Sequence, residues 1–304
     1  MSYQWISREE YRRLIHSPGW SVNPFGDWQW LAIYDESVRI IAQTGSKEIV
    51  RCFIVYEGGV KGLKSIITPP LAPYAGEAWL NPTNTLDFSA IYAFLKGQGY
   101  SKVKLEFSPD TSVELHSQAG MTPRVTYRLD LPGSESLLTE KYSSKTRNMV
   151  SKARREEARW LVNHDPSKSL QRILAHYDRK KIKSGRDQLS AVVDHLINTE
   201  RAFSIDVMEH DQVTWTGIFY LHENTCFYLA GALAPDHRSN ASGTFGLYGA
   251  MCECIRRGVA VFDFEGSSVP AIARFFQGFG GTATPFVSYS DENWLWKLIA
   301  KIRQ

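Results

Sequence analysis

Hydrophobic and polar positions along the chain follow two periods in turn, and the switches between them divide it into strands and helices. Residues 38–44 and 50–56 are apolar runs of strand character around a turn at Gly45, Ser46 and Lys47, and Gly58-Gly59 closes the second. Residues 63–68 extend that sheet. The next stretch, 69–76, holds Pro69, Pro70 and Pro73, which donate no ladder hydrogen bond, so it reads as a shaped loop. A helix over about 86–97 then precedes a strand at 103–107. In the second half, 226–233 is an aromatic-rich strand that runs into a polar, small-residue loop at 236–243. Leu247, Ala250, Met251, Cys254 and Ile255 follow at helical spacing until Gly258 stops the helix, and 259–264 is a further strand. Another helix ends near Gln277, and a strand runs to Tyr289. Both halves therefore repeat helix, glycine, strand, helix, turn, strand, the second half around Gly258 and Gln277, the first around Gln118 and Gly120. Two copies of one α/β (α+β) unit are the simplest account. The punctuation at Leu131, Pro132, Gly133 and Ser134 sets the expected domains at 1–132 and 133–290. The last segment, 291–304, is expected to be amphipathic, with Trp294, Leu295, Leu298, Ile299 and Ile302 on one face. Ser290 is its expected N-cap, with Asp291 and Glu292 in its first turn.

Composition adds little to this picture, whereas the distribution of charge changes it. A length of 304 residues with 43% hydrophobic content suits two globular cores. The four cysteines are too few for a secreted disulfide scaffold, and the eight histidines lack metal-ligand spacing, so no metal site is expected. The N-terminus is charged and carries no apolar signal region, and no run approaches membrane-spanning length, so a cytoplasmic protein without a membrane span is expected. Net charge is +3, yet residues 141–186 hold fourteen Lys or Arg against four Asp or Glu. On a helix predicted from about 135 to 160, Lys141, Lys145, Asn148, Lys152, Arg155 and Arg159 share one face, and Leu138, Tyr142, Met149 and Ala153 a neighbouring one. An anionic partner is implied: CoA, a nucleotide-linked precursor or tRNA. A solvated surface helix is the alternative.

The loop at 236–243 holds the candidate chemistry. Small residues at a helix start leave backbone N–H groups and the positive dipole end facing outward, a place that binds phosphate. Arg238, Ala241 and Gly243 are spaced as in the acyl-CoA pyrophosphate loop of GNAT acyltransferases, which this stretch resembles with Ala241 in place of a Gly. Downstream, Ala271, Phe275, Phe276, Phe279 and Gly280 resemble that family's closing helix and turn. The Fem-like branch, whose members add amino acids to cell-wall peptides, is similar over more of the chain. Its basic helix matches Lys145, Arg147, Lys152 and Ala153, and its closing motif matches Phe275 to Gly280, except that Phe276 stands where the family has a Lys. The resemblance covers about half the chain and implies two tandem GNAT-like domains, each a mixed central sheet flanked by helices, with residues 291–304 packing back on the first.

What the resemblance implies chemically is acyl transfer to an amine of a small-molecule or cell-envelope-precursor acceptor, with acyl-CoA as co-substrate and no permanently bound cofactor. Two alternatives stay open: aminoacyl transfer from charged tRNA, with no role for DNA, and a catalytically degenerate binding module, which the absent Lys favours. Asp263 and Glu265 are the expected catalytic carboxylates, since strand alternation sets them on one face opposite Phe262 and Phe264. An ordinary polar sheet edge is the other reading. Arg238, Asn240, Ser242, Gly243 and Thr244 are the expected donor-binding residues, although Asn240 or Ser242 could equally cap the helix and Gly243, Gly246 and Gly249 pack it closely. Tyr74, Lys145, Arg147, Lys152, Arg274 and Phe276 are the expected acceptor-side residues, and Tyr74 or Tyr248 a source of a proton for the leaving group.

Overall fold

The computed structural model describes residues 2–34, 37–45, 48–60, 62–80, 86–111, 120–182, 186–235, 237, 240–265 and 269–302. The chain divides into two compact units. Unit 1 is Met1–Arg124 with Pro285–Gln304, and unit 2 is Val125–Thr284. The boundary expected at 132 lies at the far end of a strand within which this division falls, and residues 291–304 count with unit 1. The expected helix before Gly120 lies in 112–119, outside the described residues.

Unit 1 begins with β1 (Ser2–Ile6), α1 (Arg8–Ile15), β2 (Ser21–Val22) and α2 (Trp28–Leu31). Then come β3 (Val38–Thr44), β4 (Ile49–Val60), β5 (Leu63–Ile67), β6 (Gly76–Trp79), α3 (Phe88–Gly97) and β7 (Tyr100–Glu106). β8 (Met121–Asp130) carries the chain into unit 2, which continues through α4 (Glu135–Leu138), α5 (Ser144–Arg155), β9 (Arg159–Asn163), α6 (Ser167–Arg179) and α7 (Arg186–Asn198). It is completed by β10 (Ala202–Glu209), β11 (Gln212–His222), β12 (Thr225–Leu233), α8 (Asn240–Arg256), β13 (Val261–Asp263) and α9 (Pro270–Gln277). β14 (Thr282–Glu292) and α10 (Trp294–Ile302) return to unit 1.

Each unit is built on a mixed sheet. In unit 1 the order is β1-β3-β4-β5-β7-β14, and β6 pairs with the first half of β4 while β5 takes the second half. In unit 2 it is β8-β13-β12-β11-β10-β9. One parallel pair recurs in each, β5 with β7 and β12 with β13, and each pair is bridged by a helix, as a parallel connection requires. Alternation along β10 separates the layers of unit 2. Phe203, Ile205 and Val207 join a core with Phe245, Leu247 and Met251 of α8. Ser204 and Asp206 face the other way, where Ser169 of α6 lies 2.8 Å from Ser204 and Thr216 donates to Asp206 at 2.6 Å. Among the described residues no helix is long and apolar enough to cross a membrane.

Two helices differ from expectation. The basic segment is not one helix: α4 passes through a 3-10 turn, Thr139–Lys141, and α5 starts afresh at Ser144, capped by the Ser143 hydroxyl. Lys141 and Arg159 therefore leave the shared face, which keeps Lys145, Asn148, Lys152 and Arg155. The restart is local: residue 142 has extended ψ, and Ser143 is a good N-cap. At the other end, Ser290 to Glu292 belong to β14, and Asn293 caps α10 by accepting from the Trp296 N–H. Trp296, whose indole donates to Ser101, is buried, whereas Trp294 is 71% exposed.

Candidate active site

The cavity of unit 2 exists because two parallel strands part. β12 and β13 pair over Thr225 to Phe227 against Val261 to Asp263. β12 then runs on to Leu233 beside β11, while β13 ends and the chain turns at Glu265, whose φ is +58°. The opening has a volume of about 1000 Å³ and is walled by Tyr228, Leu229 and Gly231 of β12, by Phe264 and Glu265 beyond β13, and by α9 and the start of α5. β12 carries a bulge at this point. Ile218 pairs with Ala230 and Phe219 with Tyr228, so Leu229 has no residue opposite it. A bulge leaves its extra residue out of the ladder and re-aims the backbone, here beside the cavity.

Asp263 and Glu265 meet different surroundings. The Asp263 side chain is 1% exposed and accepts from Arg128 Nε at 2.9 Å, Thr126 Oγ1 at 2.7 Å and the Glu265 N–H at 2.8 Å. That carboxylate is committed to holding β8, β13 and the turn together. Strand alternation stops there, because the left-handed backbone at Glu265 takes it out of the sheet. Glu265 lines the cavity, and its Oε1 is shut off from solvent with no hydrogen-bond partner among the described residues. Burial pushes its pKa well above the usual carboxylate range, and the neighbouring Asp263 charge adds to the shift.

The donor loop is only partly brought to the cavity. Arg238 lies outside the described residues. Asn240 opens α8, and Gly243 and Thr244 line the cavity. Ser242 is turned away and fully buried: its hydroxyl donates to Glu209 at 2.6 Å and lies 2.7 Å from His237 Nε2. Close packing accounts for two of the helix glycines. A Cβ on Gly246 would lie 2.2 Å from the Trp215 ring and one on Gly249 2.7 Å from Trp160, whereas one on Gly243 would make an ordinary 3.5 Å contact.

Of the expected acceptor-side residues, Lys145, Arg274 and Phe276 line the cavity. Lys145 and Arg274 are exposed at its rim. Phe276 is buried and stacks on Phe264 with ring centroids 4.8 Å apart, so the position is filled by a packed wall. The closing turn clamps that wall: the Gly278 carbonyl accepts from Ser143 N–H at 2.8 Å, and Gly280, at φ +83°, lies against Lys141 where a Cβ would approach its carbonyl to 2.6 Å. Arg147 instead bonds the Tyr142 carbonyl and Ser144, and Lys152 pairs with Glu156 at 3.7 Å. Tyr74 belongs to unit 1, buried with its ring 5.0 Å from Phe25. The Tyr248 hydroxyl accepts from Arg154 at 2.6 Å.

Trp215, Tyr228 and His176 are among the lining residues that were not picked out from the sequence. Burial, with Arg179 and Lys180 nearby, lowers the His176 pKa. A signal for the first two was present in Gly217 and Gly231, since a lone glycine within a strand marks the close approach of another group.

Comparison with known proteins supports the fold. No family model matches the sequence, and no curated protein matches it significantly. Solved structures do. The crystal structure of FemX aligns with 98% of this chain and 100% of its own at TM-score 0.62 and 12% identity. A GNAT-family acetyltransferase from Colwellia psychrerythraea aligns over 96% and 100% at TM-score 0.53 and 12% identity. A tandem GNAT protein from the clavulanic acid biosynthesis pathway aligns over 87% and 86% at TM-score 0.51 and 10% identity. With two units, each on a mixed sheet with a helix-bridged parallel pair, and likeness to FemX over nearly its whole length, the chain has a GNAT-like, Fem-like fold.

Proposed function

We propose that this protein is an N-acyltransferase that moves an acyl group from a CoA thioester to an amine of a small-molecule or cell-envelope-precursor acceptor within the unit 2 cavity. The observation that carries this reading is Glu265, whose carboxyl oxygen Oε1 is shut off from solvent with no hydrogen-bond partner among the described residues, set where β12 and β13 separate. Transfer needs the amine neutral when it attacks, and a carboxyl with a raised pKa is a better acceptor for its proton than an ordinary glutamate. The bulge at Leu229 supplies backbone from the opposite wall, suited to a carbonyl oxygen that gains charge as the amine adds. Gly243 and Thr244, near the N-terminal end of α8 and lining the cavity, are suited to the phosphates of the donor. The shared fold with a named acetyltransferase is consistent with this chemistry.

Assay of the wild type and Glu265→Gln with a series of acyl-CoA donors and a broad amine panel tests the reading. The amide should lower kcat by roughly 10²- to 10⁴-fold with folding retained. A wild type that neither binds acetyl-CoA in calorimetry at millimolar concentration nor turns over any donor would end the thioester assignment.

The exposed cations of α5 favour a second donor, an aminoacyl-tRNA, because Lys145 lies both on that basic face and on the cavity rim. Binding of tRNA would then weaken steeply with salt, and replacing Lys145, Lys152 and Arg155 would flatten the slope by about one unit per lost phosphate contact. An inert wild type that holds an envelope precursor tightly would instead favour a binding module.

A further inference from the structure

The wall that α9 gives to the unit 2 cavity is apolar from its buried end to its exposed one. Ile272, Phe275 and Phe276 all line the cavity, and steps of three and four residues set them along one face of the helix. Exposure rises along that face. Phe276 is 4% exposed, Phe275 is half-buried, and Ile272, at 43%, reaches solvent. Polar side chains of the lining are engaged elsewhere: the Ser143 and Thr146 hydroxyls lie 3.0 Å from one another, and Lys145 and Arg274 are exposed at the rim. Met149 of α5 and Leu229 of β12 add further apolar surface. The buried end of the track faces the bulge, since the Phe276 ring meets that of Tyr228, the residue before Leu229, edge-on at 6.4 Å. In the acyl-transfer reading the phosphates have Gly243 and Thr244, the amine has Glu265, and the acyl carbonyl has the bulge. The substituent on that carbonyl is the part left to meet α9. An acetyl methyl would cover a fraction of one ring, in a cavity of about 1000 Å³ at the upper end of the range for small-molecule sites. The four residues from Phe276 back to Ile272 rise about 6 Å along the helix, the reach of roughly five extended methylenes.

We propose that the acyl group transferred in this cavity is an uncharged chain of medium length, lying along Phe276 and Phe275 and leaving past Ile272, an inference that rests on the acyl-transfer reading. The phenylalanines select for apolar surface, because each methylene laid against them leaves water. Ile272 sets the length at which that gain ends, since atoms beyond it return to solvent.

Acetyl-, butyryl-, hexanoyl-, octanoyl- and dodecanoyl-CoA, each assayed with the same panel of amines, test the proposal. Wild-type kcat/KM should rise by about fourfold per methylene, or about 10²-fold from acetyl to hexanoyl, and level off beyond octanoyl. Ile272→Asp changes a side chain that stands in water, so folding should be retained. It should lower the ratio of octanoyl to acetyl kcat/KM by about tenfold or more, because the chain end would then lie against a charge, and Ile272→Leu should keep the wild-type ratio. Turnover that does not depend on acyl length, a steep dependence on the length of the amine instead, or an unchanged ratio in Ile272→Asp would each overturn the proposal while leaving acyl transfer standing. A wild type inert with every acyl-CoA overturns both.

Discussion

Asp263 and Glu265 stand two residues apart, and the surroundings of each fix what its loss should do. Asp263 accepts three hydrogen bonds from buried or half-buried donors, so its charge is balanced and its place is structural. Asp263→Asn should destabilise the protein toward the lower end of the roughly 3–5 kcal/mol seen when one partner of a buried pair is removed, because Arg128 keeps some access to water. Glu265 has the opposite balance. Its folded pKa is raised, so the folded state holds a proton that the unfolded chain releases at ordinary carboxylate pH. The stability it contributes is therefore fully present below the unfolded value and is lost as pH rises through the folded one. Glu265→Gln should remove that component of the pH dependence. Urea denaturation of both variants and wild type between pH 4 and 9 would separate the two roles, and a pH profile for Glu265→Gln identical to wild type would contradict this account of the site.

At the scale of elements, the relation between α8 and its sheet turns on one side chain. Trp215 lies between β12 and α8, with Gly217, Gly231 and Gly246 each giving it room. By helix propensity alone, Gly246→Ala should stabilise α8 by about 1 kcal/mol. The new Cβ would meet the indole at 2.2 Å, and the ring, enclosed by sheet and helix, has nowhere to go. Overpacking of this kind costs about 1–3 kcal/mol, so a net loss of stability is expected, together with a displaced cavity wall. Thermal denaturation reads the first effect and Trp fluorescence the second. A variant more stable than wild type would mean that α8 is free to shift. The same element shows what sequence alone leaves open in the phosphate loop: Ser242 looks available in sequence, yet its hydroxyl is drawn inward by Glu209 on β10.

For the whole molecule, the path of the chain matters more than its divisions. Unit 2 is continuous from Val125 to Thr284, whereas unit 1 is completed by residues from the far end of the sequence. β14 pairs with β7 from Ser288 against Glu106 to Glu292 against Lys102, and Asp291 pairs with Lys96 of α3 at 2.8 Å. A chain ending at Thr284 should therefore leave unit 2 its full set of strands and expose the β7 edge of unit 1, an open template for aggregation. Hydrogen exchange should show β10, β11 and β12 still protected and β7 and α3 unprotected. Equal loss of protection in both units would mean that they fold as one.

What the sequence determined by itself is the part that local physics governs. The order of strands and helices over 226–289, the aromatic strand leading through small residues to α8 and the glycine that ends that helix follow from periodicity and turn chemistry, all set within a few residues. The sequence also brought Glu265, Lys145, Gly243 and Arg274 forward as candidates by type and spacing, and they line the cavity. Only the tertiary structure decided between like residues. Whether a carboxylate is a hydrogen-bonded strut depends on a partner such as Arg128, 135 residues from Asp263. The Tyr248 hydroxyl is held by Arg154, 94 residues away in sequence. Such partners are distant in sequence and adjacent only after folding, and desolvation and hydrogen bonding, which set the chemistry of a polar group, act through that adjacency.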